Sequence, residues 1–204
     1  MSYTIGRLKE DIREVIEKTV PADKKFVLAG SSLGASVILE YCAEDYRKPE
    51  CALLVGPNEE FRFPKVLGTV IPLIHPALYF AVKPVIKWYL RNFRLDKKHE
   101  QEQIKKYEYT LDCADPYKLK ANALALKNYS IWEIVKKVTT PCVIFGATTD
   151  KLHDTDMLKR LINVLPEVQY IELTSNSDTH SEKAGRIMVD YLDQKEYRNF
   201  SNRV

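Results

Sequence analysis

The stretch Phe26-Val27-Leu28-Ala29-Gly30-Ser31-Ser32-Leu33-Gly34, followed by Val37, Ile38, Tyr41 and Cys42, decides the fold. Four apolar residues make a short strand, the glycine- and serine-rich segment a tight turn, and the spacing after it a helix. Three further apolar runs repeat the strand signal: Ala52 to Gly56, Cys142 to Gly146 and Val168 to Leu173. Helical patterns accompany them. Leu8, Ile12, Val15 and Ile16 share a face before the first strand, Met157, Leu158, Leu161 and Ile162 lie between the last two, and Ile187, Met188, Tyr191 and Leu192 follow. Strands alternating with helices predict a three-layer α/β protein with a mostly parallel sheet of about four strands.

Residues 58–137 break this alternation. They hold no convincing strand, and five of the ten prolines fall from Pro64 to Pro116. They read as a helical cap inserted into a core made of residues 1–57 and 138–204. Within the cap, Val82, Ile86, Tyr89, Leu90 and Phe93 share one helical face, with Lys83, Lys87, Arg91 and Arg94 opposite. The expectation is that the apolar side packs down and the basic side, continued by Lys97 and Lys98, is solvated. Leu67, Ile71, Leu73, Leu78, Tyr79, Phe80 and Trp88 would then line a greasy pocket, and peripheral contact of the cap with a membrane surface stays open as a second reading.

Composition narrows the function classes. The chain has 204 residues, 45% of them hydrophobic and 29% charged, with net charge +3. That is enough to bury roughly 70% of the unfolded surface without a disulfide or metal staple. It excludes disorder, collagen and coiled coil, and it lacks the strongly basic stripe of a nucleic-acid binder. Cys42, Cys51, Cys113 and Cys142 show no paired spacing and read as buried thiols in a reducing compartment. The first residues carry charges where a signal peptide would be apolar, so the expected location is cytoplasmic. Val66 to Val82 is interrupted by Pro72, His75 and Pro76 and is too short to span a bilayer.

The chemistry centres on Gly30-x-Ser32-x-Gly34. Alone, this pattern also fits an ordinary strand-to-helix connection; between a strand and a helix it suits a nucleophile on a strained turn, with glycines preventing clashes around it. The Leu33 N–H and the helix dipole would stabilise an oxyanion. A serine needs a histidine base held by a carboxylate, and Asp150 and His180 each follow a later strand, at the sheet edge that carries Ser32. Ser31 reads as a helix-capping hydroxyl. Asp154, Asp156 and Asp178 compete less well with Asp150, and His75, His99 and His153 less well with His180. The histidines have no ligand spacing, so neither metal nor cofactor is implied, and the turn lacks the lysine of a phosphate loop.

With these residues in hand, the chain resembles the α/β-hydrolase family, in which an elbow serine, an acid after a later strand and a histidine after the last strand come in this order. Gly30 to Gly34, the acid segment Pro141 to Asp150, and His180 match it, and the insertion falls where the family carries its cap. The resemblance implies a cofactor-free serine hydrolase acting on a small-molecule ester or acyl substrate, with Ser32, His180 and Asp150 as triad and Leu33 in the oxyanion hole. It also implies earlier strands and a loop donating a second oxyanion N–H, with no counterpart here. The first strand is then expected at a sheet edge open to a second copy or a partner chain. A fragment, a shortened chain that pairs, and a catalytically inactive module binding a lipid or protein partner are the three expectations this leaves.

Overall fold

The computed structural model describes residues 3–61, 69–95, 101–147, 149 and 155–201. Helix α1 (Ile5–Thr19) opens under an N-cap in which Thr4 Oγ1 accepts from the Arg7 N–H, and it packs along helix α2 (Leu33–Ala43). Strands β1 (Leu28–Ser31), β2 (Ala52–Val55), β3 (Cys142–Gly146) and β4 (Val168–Glu172) form one parallel sheet in the order β1-β2-β3-β4. The register runs from Leu28 opposite Ala52 to Ser31 opposite Val55, and from Ala52 opposite Cys142 to Val55 opposite Phe145. The four strands and the α/β class expected from the sequence are therefore present.

Continuous apolar runs make the central strands because both of their faces are covered. Leu54 and Ile144 point into a cluster with Ile38, Leu39 and Tyr41 of α2 and with Leu158 and Leu161 of helix α6 (Thr155–Val164). The alternate residues Leu53, Val55, Val143 and Phe145 pack on the other face, against Ala184, Ile187 and Met188 of helix α8 (Glu182–Ser201). Each fully buried large apolar side chain contributes roughly 1.5–3 kcal/mol. Among the described residues, β1 has β2 on one side and no strand on the other, and Ala29 is exposed.

Between β2 and β3 the described residues form helices α3 (Leu78–Tyr89, continued by a π-helical turn over Leu90–Arg94), α4 (Gln101–Cys113) and α5 (Pro116–Leu126), then a 3₁₀ turn at Val135–Lys137. Asp115 caps α5 by accepting from the Tyr117 and Lys118 N–H groups, with Pro116 at the first helical position.

The orientation of α3 overturns the expectation for its two faces. Lys83 and Lys87 reach the two carboxylate oxygens of Asp112 at 3.0 and 2.6 Å, and Arg91 bonds Glu108, so the basic stripe packs on α4. Buried Tyr79 donates to the Leu111 carbonyl at 2.6 Å on the same side. Of the expected apolar face, Val82, Tyr89 and Phe93 are exposed and Ile86 and Leu90 half-buried, and Leu78, Val85 and Trp88 alongside are exposed as well. The physical reason lies in α4, whose Glu108 and Asp112, four residues apart, present a line of anions to the basic face. Leu67, Lys97, Lys98 and His99 lie outside the described residues.

Cys42, Cys51 and Cys142 are buried as expected, and burial pushes the Cys142 thiol up to about 12 and Cys42 to about 11. Cys113, on the outer side of α4, is exposed, contrary to the expectation of a buried thiol. Among the described residues no helix is long and apolar enough to cross a membrane.

Candidate active site

Ser32 joins β1 directly to α2. Its φ of 52° and ψ of −119° make it the one non-glycine of positive φ among the described residues. Such a conformation costs about 1–3 kcal/mol and persists only where the surroundings over-determine it. Here the Ser32 N–H donates to the Val55 carbonyl at 2.8 Å, fixing the turn to the end of β2, while α2 presses on β1. A Cβ at Gly30 would lie 2.7 Å from Ile38 Cδ1 and 3.0 Å from the Gly34 carbonyl carbon. A side chain at position 30 would therefore displace Ile38 and press on the first turn of α2. A Cβ at Gly34 would meet nothing within 4 Å, so space does not call for a glycine there; its backbone is what crowds position 30.

His180 ends a short helix α7 (Asn176–Thr179) that follows β4 and is capped by Ser175. Its Nδ1 lies 3.0 Å from the Asn176 carbonyl and 2.9 Å from Thr179 Oγ1, whose own hydroxyl donates to that carbonyl at 2.7 Å. These two acceptors suit a proton on Nδ1, which leaves Nε2 as the acceptor. At 2.7 Å from Nε2 stands the hydroxyl of Ser31. This corrects the reading of Ser31 as a capping hydroxyl: as the last strand residue it projects toward the turn after β4, and α2 has no side-chain cap.

The Ser32 hydroxyl has a different partner. Asn58 Nδ2 donates to Ser32 Oγ at 2.7 Å. Asn58 follows β2 after Gly56, which turns the chain at φ 47°, and buried Pro57. Its backbone is tied at both ends to one buried side chain: the Asn58 N–H donates to Ser36 Oγ at 3.0 Å, and Ser36 Oγ donates to the Asn58 carbonyl at 2.7 Å. Sequence reasoning missed Asn58. Its available signals were Ser36, one helical turn after Ser32, and its place at the carboxyl end of a parallel strand.

Leu33 is the first residue of α2, with its N–H at the helix N-terminus beside Ser32. Asp150 lies outside the described residues, as do His153 and Asp154. The Asp178 carboxylate is 3.8 Å from Lys183, and His75 stacks edge-on against Tyr117 in the insertion. The insertion nonetheless touches the site: buried Gln103 of α4 donates from Nε2 to Oδ1 of buried Asn176 at 3.3 Å. Among the described residues no group of three His, Cys, Asp or Glu could hold a metal ion.

The fold thus brings to one end of the sheet a serine of positive φ at a helix N-terminus and, against the adjacent Ser31, an imidazole, residue types that acyl-transfer chemistry uses. A family profile described as serine aminopeptidase, S33 matches residues 4–174. The chain belongs to that family of α/β-hydrolases. Its fold is similar to a thermophilic esterase from Thermogutta terrifontis, with a TM-score of 0.74 at 13% identity over 95% of this chain and 74% of the other. It is also similar to the enol-lactonase from Burkholderia xenovorans, with a TM-score of 0.72 at 16% identity over 94% and 74% of the two chains. A hydrolase from Oleispira antarctica gives 0.69 at 14% identity over 94% and 72%. No functionally curated protein matches the chain in sequence.

Proposed function

We propose that this family member hydrolyses a carboxylic ester or thioester of a lipophilic acyl group, with Ser32 as nucleophile. The observation that carries the reading is the strained turn at Ser32 together with an imidazole whose Nε2 lies 2.7 Å from the hydroxyl of the adjacent Ser31. His180 would turn from Ser31 to the neighbouring Ser32 and take its proton as Oγ bonds to the carbonyl carbon. The carbonyl electron pair moves to oxygen, facing the Leu33 N–H. Collapse breaks the bond to the leaving alcohol or thiol, which receives the proton from His180. Water then repeats the sequence and releases the acid. Asp150 is assigned the carboxylate that stabilises the imidazolium, while the Asn176 carbonyl holds the resting tautomer. The exposed apolar face of α3 favours a lipophilic substrate presented at a lipid surface.

The Ser31–His180 contact favours a second reading, a catalytically silent module whose base is parked away from the nucleophile and which binds a lipid or protein partner. Labelling with a fluorophosphonate probe, followed by peptide mapping, separates the two. The hydrolase reading expects stoichiometric labelling at Ser32 that survives Ser31→Ala and is lost in Ser32→Ala and His180→Ala. Folded protein that takes no label overturns it in favour of the silent module.

A further inference from the structure

We infer that Asn58 supplies a side-chain donor to the negative charge that develops at Ser32, completing an oxyanion site begun by the Leu33 N–H. The inference rests on Ser32 being the nucleophile.

Its basis is the position and rigidity of one amide. Asn58 Nδ2 is already 2.7 Å from Ser32 Oγ. In the tetrahedral intermediate the oxyanion is two bonds from Oγ, so a donor within reach of Oγ needs only a small rotation of its terminal amide to meet it. Stabilisation of this kind is effective when the donor is fixed before the reaction. Ser36 provides that: fully buried, it clamps both the N–H and the carbonyl of Asn58, and its place one turn after Ser32 ties the amide to the helix that carries the nucleophile. An amide suits the task where an acid would not, because a carboxylate here would repel the developing charge.

A donor and a mere restraint on Ser32 predict opposite results. If the amide only held the hydroxyl back, removing it would speed the reaction. If the side chain acted through its oxygen, Asn58→Asp would serve as well as the natural residue. The test measures fluorophosphonate labelling rates and p-nitrophenyl butyrate hydrolysis for the wild type, Asn58→Asp and Asn58→Ala, with thermal melts to establish that the variants fold. Loss of the donor should slow labelling and lower kcat by about 10²–10³-fold in both variants, with KM changed by no more than about twofold, as for a contact made in the transition state. Labelling at Ser32 that is as fast or faster in either folded variant overturns the role of Asn58 alone. A wild type that takes no label at Ser32 overturns the nucleophile assignment and this inference with it.

Discussion

Helices α2 and α3 are built from similar proportions of apolar residues and end in opposite situations. In α2, eight of eleven residues are buried, between α1 and the sheet. In α3, of twelve residues, only Tyr79 is buried, and the side that faces its neighbour is the charged one. The contrast teaches that the candidate site is carried by the tightly packed part of the molecule. The helix that begins at Ser32 is fixed by core packing on both sides, whereas the inserted helix is tied to α4 by a tyrosine hydroxyl and surface ion pairs, interactions that individually contribute little. A strained turn can be maintained only on the first kind of support.

The sharpest way to break this contrast is to empty the core. Phe145 in β3 is fully buried, in the cluster on the α8 face of the sheet. Phe145→Ala should cost about 3–5 kcal/mol in urea unfolding, a loss of side-chain burial plus the cavity left behind. A loss below 1 kcal/mol would mean that this face of the sheet is loosely packed.

A smaller effect concerns the one buried carboxylate of α2. Burial raises the Glu40 carboxyl above its ordinary range, opposed by Lys9 and by the hydroxyl of Tyr129. A carboxyl whose folded-state value is raised binds its proton more tightly in the folded chain. Its contribution to stability therefore falls as pH rises from the unfolded value through the raised one. Glu40→Gln should raise the unfolding midpoint at pH 8 and leave it nearly unchanged near pH 4. Thermal melts across that range check the sign, and a variant less stable at pH 8 would show that Lys9 and Tyr129 outweigh the cost of burial.

The strands were legible because β2 and β3 are buried on both faces, so their apolar runs are uninterrupted; β3 spans the residues its pattern marks, Cys142 to Gly146. β1 lies slightly later than its apolar run, at Leu28–Ser31, because pairing with β2 continues until Ser31 meets Val55. That shift carries Ser31 into the sheet and toward His180, which no cap preference could reveal. The placement of Ser32 at the strand-to-helix turn and of His180 after the last strand was legible through a turn motif and the strand pattern. The contact of Asn58 with Ser32 was not, since a single asparagine has no periodicity and its position is set by tertiary hydrogen bonds with Ser36. The faces of α3 were legible as faces, but helical spacing does not say which one meets a neighbour. That depended on Glu108 and Asp112, more than a dozen residues further along the chain.

The smallest expected effect tests this last point from the insertion's side. Val85 lies on the exposed side of α3, across the helix from Lys83, Lys87 and Arg91, and is 63% exposed. Valine and serine have similar helix propensities, so Val85→Ser changes little besides hydrophobic contact. With the charged side packed on α4, the substitution should alter stability by no more than about 0.5 kcal/mol, a shift of roughly 1–2 °C in the melting midpoint for a chain of this size. With the apolar side packed, as the residue pattern alone suggests, the same change would remove a buried side chain and lower the midpoint by several degrees. Asp112→Asn gives the complementary reading, because the Asp112 carboxyl is held below its ordinary range by hydrogen bonds from Lys87 and Lys83. A carboxylate lowered in this way stabilises above its unfolded value and loses that contribution as pH falls through the folded one, so any difference between Asp112→Asn and the parent should vanish in acid. A deficit that persists there would mean that Asp112 supports the insertion by packing and not by charge.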